Sequence, residues 1–277
     1  MGASWGYDAR EHGWLLESTA TWMEEQFYDA GNDNRQYLRY GQLAHPSQPL
    51  DTFQPGGFAQ YGNWAFFEYL SEHFGRGIVR SVWHHAAVFQ GGGHDFSAQA
   101  IRAAVHPHGG LTSVFARYAA GNTEPSQAYQ EGKHFPSSGF VGSWTLSEAA
   151  PSSGWQSFQV HHLASDTVRA VPGTDLSGRA WQLRVKVNGP RRAKMPAAYV
   201  LVHRRHHRTG HALVHLNRKG FGKVRVPFGR ASVRFVSVTL ANTSTRFHGC
   251  GHGSYSCQGS PDAAHPAFAV KLVAFRH

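Results

Sequence analysis

Apolar positions in the first 120 residues recur at intervals of three and four, the spacing of one face of a helix. Trp14 to Tyr28 carries Leu15, Leu16, Thr19, Trp22, Met23 and Phe27 at that spacing, and Ala-Gly-Asn-Asp-Asn at 30–34 ends the run. The prolines and glycines of 46–57 predict a loop. A second helix is predicted over Tyr61–Phe74, with Trp64, Phe67, Tyr69 and Leu70 inward and Gly75 as its stop. Further helices are predicted over Gly77–Phe89, about Phe96–Val105 and Leu111–Ala120. Gly91-Gly92-Gly93 follows no strand, so it reads as a loop rather than a phosphate-binding turn.

After Gly121 the period changes. Residues 121–155 are rich in Gly, Ser and Pro, and from Trp155 onward short runs alternate apolar and polar positions. Strands are predicted at Gln159–Leu163, Val168–Val171, Trp181–Val187, Ala198–Val202, Ala212–Leu216, Lys223–Pro227, Val233–Ala241 and Ala267–Phe275. The expected fold class is therefore α + β with two domains: a mainly helical half over 1–122, a linker over 123–154 and an antiparallel β-sandwich over 155–277. No internal repeat of fixed period interrupts that division.

Composition sharpens this in three ways. With 41% hydrophobic and 16% charged residues, the 277-residue chain has enough apolar surface for a real core, which excludes wholesale disorder. No apolar run approaches the ~18 residues that span a bilayer. No signal peptide is visible at the start, so an address for export, if there is one, is expected upstream of Met1.

The net charge of +10 and pI near 9.9 favour anionic surfaces. No nucleic-acid recognition motif accompanies the charge, which puts a nucleic-acid partner last. The densest basic run is Val202–Gly220, and its alternation of Val202, Ala212, Val214 and Leu216 predicts a hairpin with a basic solvent face. The 203–219 segment is the candidate patch for an anionic surface.

Cys250 and Cys257 are separated by Gly, His, Ser and Tyr. A disulfide closing this loop, in an oxidising compartment, is one reading. Free thiols are another, and a metal site with His248 or His252 a third, although the interval exceeds the usual spacing of a zinc knuckle.

The candidate chemistry centres on Glu17. It lies in the otherwise uncharged run Gly13-Trp-Leu-Leu-Glu-Ser-Thr-Ala-Thr-Trp-Met23, where burying an unpaired carboxylate costs several kcal/mol. Something must compensate, and a metal is one candidate. Hydrolytic zinc takes three protein ligands and keeps a position for water. Ser18, Thr19 and Ala20 would let a ligand-bearing helix pack closely, and Trp14 and Trp22 would wall such a site. Glu11, Glu24 and Glu25 read as solvated helix-surface acids. Neither His84-His85 nor His106-Pro-His108 has the i, i+4 spacing of a helical zinc pair.

Gly6-Tyr7-Asp8 and Trp14 through Glu25 together resemble bacterial secreted metallopeptidases of the gluzincin (thermolysin-like) type. In that family an H-E-x-x-H helix leads into an aromatic-Tyr-Asp segment and then W-(L/M)-x-E-x-(T/S)-A-x-W-x-E. The run Ala241–Phe247 with Cys250, Cys257 and Gly259-Ser-Pro-Asp262 is similar to the family's C-terminal pattern. The resemblance implies Zn2+ as cofactor, Glu17 as third ligand and a peptide or protein substrate. Phe58-Ala-Gln-Tyr61 and the following helix are similar to the segment that places an oxyanion-donating tyrosine in gluzincin aminopeptidases, which makes Tyr61 the catalytic candidate. Its other reading is an aromatic packed on Trp64 or Tyr69.

H-E-x-x-H occurs nowhere in these residues, and its second histidine would fall at or before Met1. The expectation is a secreted or cell-surface zinc-peptidase fragment, inactive as it stands. The alternative is a secreted, non-catalytic protein whose basic sandwich attaches to a polysaccharide, envelope or protein surface.

Overall fold

A computed structural model describes residues 11–89, 91–205, 208–248, 260–261 and 265–276. Cys250, Cys257, His252 and Gly6-Tyr7-Asp8 lie outside them, as does the side chain of His248.

The helical part comprises α1 (Gly13–Phe27), α2 (Ala59–Gly62), α3 (Trp64–Phe74), α4 (Gly77–Ala86), α5 (Ala98–Ala104), α6 (Gly110–Gly121) and α7 (Pro125–Ala128). The helix expected over Tyr61–Phe74 is broken at Asn63 into α2 and α3, and the one expected over Gly77–Phe89 ends at Ala86. Gly75 ends α3 at φ 85°, a conformation that a Cβ disfavours. The core collects the large aromatics, with Trp14 against Phe67 at 6.0 Å and Phe66 edge-on to Tyr118 at 5.0 Å.

Two expectations for α1 fail. Phe27, the last residue of the helix, is 90% exposed. Glu11 and Glu25, read as solvated, are 5% and 6% exposed. Trp14 and Trp22 are core residues, whose ring N–H groups donate to the hydroxyls of Ser97 (2.8 Å) and Ser71 (3.3 Å).

The remaining chain forms two main sheets. Strands β1 (Gly142–Leu146), β3 (Ala164–Pro172), β5 (Pro196–Arg204), β6 (Gly210–Leu213) and β8 (Val233–Asn242) pair in the order β1-β3-β8-β5-β6. Strands β2 (Ser152–Gln159), β4 (Trp181–Asn188), β7 (Phe221–Pro227) and β11 (Ala267–Arg276) pair as β2-β11-β4-β7. A short pair, β9 (Phe247–His248) with β10 (Ser260–Pro261), completes the set. The α + β architecture with a sandwich is as expected, with one parallel pair, β1 beside β3. The 123–154 stretch contains α7, all of β1 and the start of β2. The strand predicted at Gln159–Leu163 is β2, displaced toward the N-terminus, and 160–163 is the turn after it.

Facing residues of the two sheets build one core, among them Val200, Val236 and Val238 opposite Val185, Val270 and Leu272. The second face of the five-stranded sheet is covered too. Helix α6 lies across β5 and β8, and Ala197, Tyr199 and Ala241 join the helical core. Hence β8 is buried at nearly every position instead of at alternate ones.

The seam between helices and sandwich is tightest at the turn after β2. Leu163 takes a left-handed φ of 45°. Its carbonyl accepts from Leu50 N (2.9 Å) and Gln42 Nε2 (2.6 Å), while its side chain sits in the helical core. Ser165 N donates to Pro46 O and Ser47 Oγ to Asp166 Oδ1, at 2.8 and 2.6 Å. A left-handed leucine costs about 1–3 kcal/mol and persists only where its surroundings hold it.

Because this seam shares one sheet, helices and sandwich are expected to melt together. Tryptophan fluorescence and far-UV circular dichroism should give coincident transitions. Leu163→Ala should cost about 2–5 kcal/mol and lower both signals' midpoint together.

Candidate functional site

Glu17 lies on the second turn of α1, half-buried, and Tyr61 lies in the single turn of α2. Two contacts set their separation. Ser18 Oγ donates to the Gln60 carbonyl and ties α1 to α2. Gly62 meets the preceding 3-10 turn (Asp33–Tyr40) backbone to backbone, and a Cβ there would stand 2.4 Å from Tyr37 O. Only glycine permits that approach.

Tyr61 and Glu17 are thereby brought together. Burial, then the charge of Glu17 and a hydrogen bond to its carboxylate, raise the Tyr61 hydroxyl above its ordinary pKa. A tyrosine so placed stays protonated and donates. Glu17 is only half-buried, so water supplies compensation that full burial would have denied it. Tyr61 does not pack on Trp64 or Tyr69 as its alternative reading had it. It stands 5.3 Å from Tyr37 and 6.3 Å from Phe58, and Phe58 stands 5.1 Å from Tyr40. These rings form an aromatic rim, on which Phe58 is 46% exposed.

Among the described residues, no histidine or cysteine joins Glu17 in a group of three donor atoms within 4.8 Å of one another. His12, at the start of α1, instead touches Phe53 and Phe96 and faces Asp51 and His162. His162 Nε2 lies 2.8 Å from Asp51 Oδ1, across the same seam as Leu163. Burial chiefly lowers the pKa of His12, with Asp51 opposing and His162 adding.

Glu25, Asp29 and Glu131 place carboxylate oxygens within 4.8 Å of one another. Oxygen donors of this kind suit a hard divalent cation rather than zinc. Glu68 and Glu72 line the same cleft, and Arg35 pairs with Glu131. Burial is the main cause raising Glu25 and Glu72, each to about 7. Asp29 and Glu131 add to the shift at Glu25, Glu68 and Glu131 to that at Glu72. Asn34 Nδ2 donates to Glu25 Oε2 at 2.6 Å and opposes the shift.

A second polar relay lies under α7. Ser237 Oγ is 3.0 Å from His203 Nε2, and His203 Nδ1 is 2.8 Å from Glu124 Oε2. Thr209 Oγ1 also reaches Glu124, and Phe235 stacks on the imidazole at 4.0 Å. The order Ser–His–Glu is that of a nucleophile relay. However, Ser237 is 1% exposed on a covered sheet face, where no substrate reaches it. The relay fastens the sandwich to the helices. It also removes His203 from the basic surface assigned to 203–219, while Arg204, Arg205 and Arg208 remain exposed.

No family model matches the sequence, and no curated protein matches it. Among solved structures, the chain is similar to the pre-peptidase C-terminal domain of a collagenase from Bacillus anthracis. That likeness has a TM-score of 0.26 and 6% identity, over 50% of this chain and 97% of that one.

The acidic cleft has a pH signature. Glu25 and Glu72 ordinarily titrate near 4.5 and here near 7, so between those values the folded chain holds protons that the unfolded chain has lost. Their contribution favours the native state at low pH and fades as pH rises through about 7. Glu25→Gln should therefore raise the melting temperature by ~2–4 °C at about pH 7.5 and by less at about pH 5. Equal shifts at both pH values would contradict it.

Proposed function

We propose that this chain is a secreted or cell-surface protein related to gluzincin peptidases, with residues 1–122 as part of a peptidase domain and 155–277 as an accessory sandwich. The observation that carries this reading is the nearness of Glu17 and Tyr61: the Ser18 hydroxyl ties their two helices at the Gln60 carbonyl, and the Glu17 charge helps raise the tyrosine's pKa. Those are the two residues that the resemblance assigns to one site, one as metal ligand and the other as oxyanion donor. They come from separate segments, and the rim of Tyr37, Tyr40 and Phe58 beside them offers apolar faces to a peptide side chain.

In this reading the catalytic step is absent from the chain as it stands. Hydrolysis by metal-activated water needs two further ligands and a base. Among the described residues Glu17 belongs to no group of three donor atoms within 4.8 Å of one another, and the sequence holds no H-E-x-x-H. Glu17 then serves as the acceptor that orients Tyr61, and the pair is a binding feature.

A second reading is a protein that attaches through its sandwich to an anionic extracellular surface. It is favoured by the charge distribution: residues 142–277 hold nineteen Lys and Arg against four Asp and Glu.

Isothermal titration with zinc tests the first reading. The expected result is no stoichiometric site of sub-micromolar affinity and no peptide hydrolysis. A tight site that is lost in Glu17→Gln would overturn the non-catalytic assignment. Reading the coding sequence upstream of Met1 separates two origins. An in-frame H-E-x-x-H there would make Glu17 a zinc ligand of a longer chain, and its absence would leave a pseudoenzyme.

A further inference from the structure

The four-stranded sheet turns one face to the sandwich core and the other to solvent, and the solvent face carries a cluster of five cations. Lys271 on β11 stands opposite Lys186 on β4, and Lys186 stands opposite Lys223 on β7. One step along, Arg184 stands opposite Arg225. Like charges directly opposite one another destabilise a sheet. Nothing on the four strands offsets them, since β2, β4, β7 and β11 contain no Asp or Glu.

The charge continues past the strand ends. The loops at 189–195 and 217–220 are joined by Gly189 N to Gly220 O and Arg192 N to Arg218 O, at 2.9 and 3.2 Å. They add exposed Arg191, Arg192, Arg218 and Lys219, again without an acid. Residues 142–277 have a formal charge of +15, and 1–141, with eight Lys and Arg against thirteen Asp and Glu, have −5. The balancing acids thus belong to the helical part, which covers the opposite side of the sandwich through the five-stranded sheet.

We propose that the outward face of the β2-β11-β4-β7 sheet is a docking surface for a linear acidic polysaccharide, one bearing sulfate or carboxylate groups. The inference rests on the attachment reading above and moves it from the 203–219 hairpin to this sheet. Adjacent strands hold cations about 5 Å apart across the sheet, and alternate residues about 7 Å apart along it. The paired positions Arg184/Arg225 and Lys186/Lys223 therefore make a straight track along β4 and β7, which the basic loops extend. Arg184 and Arg225 both lie over the Phe275 ring, 4.5 and 5.6 Å from its centre, so their forks are held ready for oxyanions. Trp155, 51% exposed, sits directly across from Lys271 and offers a flat apolar face to a sugar ring.

Nucleic acid fits less well. Single-strand binders interleave several stacking rings with charge along a groove. Here Phe275 is covered by guanidinium groups, and Trp155 and Phe221 stand on opposite edge strands. An anionic bilayer fits less well too, because the face carries two isolated exposed aromatics and no apolar patch to insert.

The test uses the full chain, heparin as sulfated probe, alginate as carboxylate probe, single-stranded DNA, and phosphatidylserine vesicles. Binding is measured over a range of salt for the parent, for Lys186→Gln/Lys223→Gln/Lys271→Gln, and for Arg204→Gln/Arg205→Gln/Arg208→Gln. The parent should bind heparin or alginate more tightly than DNA or vesicles at equal salt. The lysine variant should lose at least about tenfold, with the slope of log affinity against log salt reduced by roughly 2–3, as removal of three contact charges requires. Its melting temperature should be unchanged or raised, since opposed like charges are gone. The arginine variant should bind like the parent. Loss in the arginine variant alone would overturn the sheet assignment while keeping the attachment reading. Tighter binding to DNA or vesicles would overturn the polysaccharide. Binding to none of the probes would overturn both the inference and the attachment reading.

Discussion

The middle strands of the five-stranded sheet, β3, β8 and β5, are covered on both faces, and that constraint governs much of the molecule. One side of the sheet closes the sandwich core with valines and leucines, and its other side lies under α6 and the aromatic helical core. Strands covered twice must satisfy every polar side chain that points out of either face. Thr167 therefore pairs with Thr239 at 2.9 Å, and His203 spans Ser237 and Glu124. The Leu163 turn plugs the edge of the same interface, where its strained backbone is held by Gln42 and Leu50.

The Glu17–Tyr61 pair depends on that seam indirectly. Asn63, between α2 and α3, accepts from Gln42 N and donates to Leu50 O, at 2.9 and 2.7 Å. The residues that receive Leu163 are thus the ones that hold the end of α2. Tyr61 sits two positions away, pressed toward Tyr37 by the glycine contact and toward α1 by the Ser18 hydroxyl. Sandwich docking, the short helix and the tyrosine's position form one hydrogen-bonded chain.

Much of the fold was legible because period follows burial. The helices from α1 to α6 and most strands fall where apolar spacing puts them, and Gly75 stops α3 through a positive φ. What misled was polarity. Alternating Ser237 and Thr239 with valines looks like a wet face, yet the helices cover it, and one strand's pattern carries no information about a second layer arriving from earlier in the chain. Glu11 and Glu25 misread for the same reason. Their partners, Ser97 N and Asn34, are placed by tertiary packing. The pairing of Glu17 with Tyr61 was not encoded in spacing; the resemblance named both residues, and backbone contacts bring them together.

Charge completes the physical account of the two parts. The helical part concentrates acids that it then partly buries, and it holds Glu25 and Glu72 near neutrality by desolvation and mutual repulsion. The sandwich concentrates cations and leaves them in water, where screening limits their repulsion to a few tenths of a kcal/mol for each pair. These are opposite solutions to the same problem. Inside, like charges are relieved by taking up protons. Outside, lysine and arginine stay ionised at neutral pH, so relief comes only from salt or from a bound polyanion. A row of opposed lysines and arginines kept on a regular sheet face is costly to the fold alone, and it gains a physical purpose once an external chain of anions lies along it.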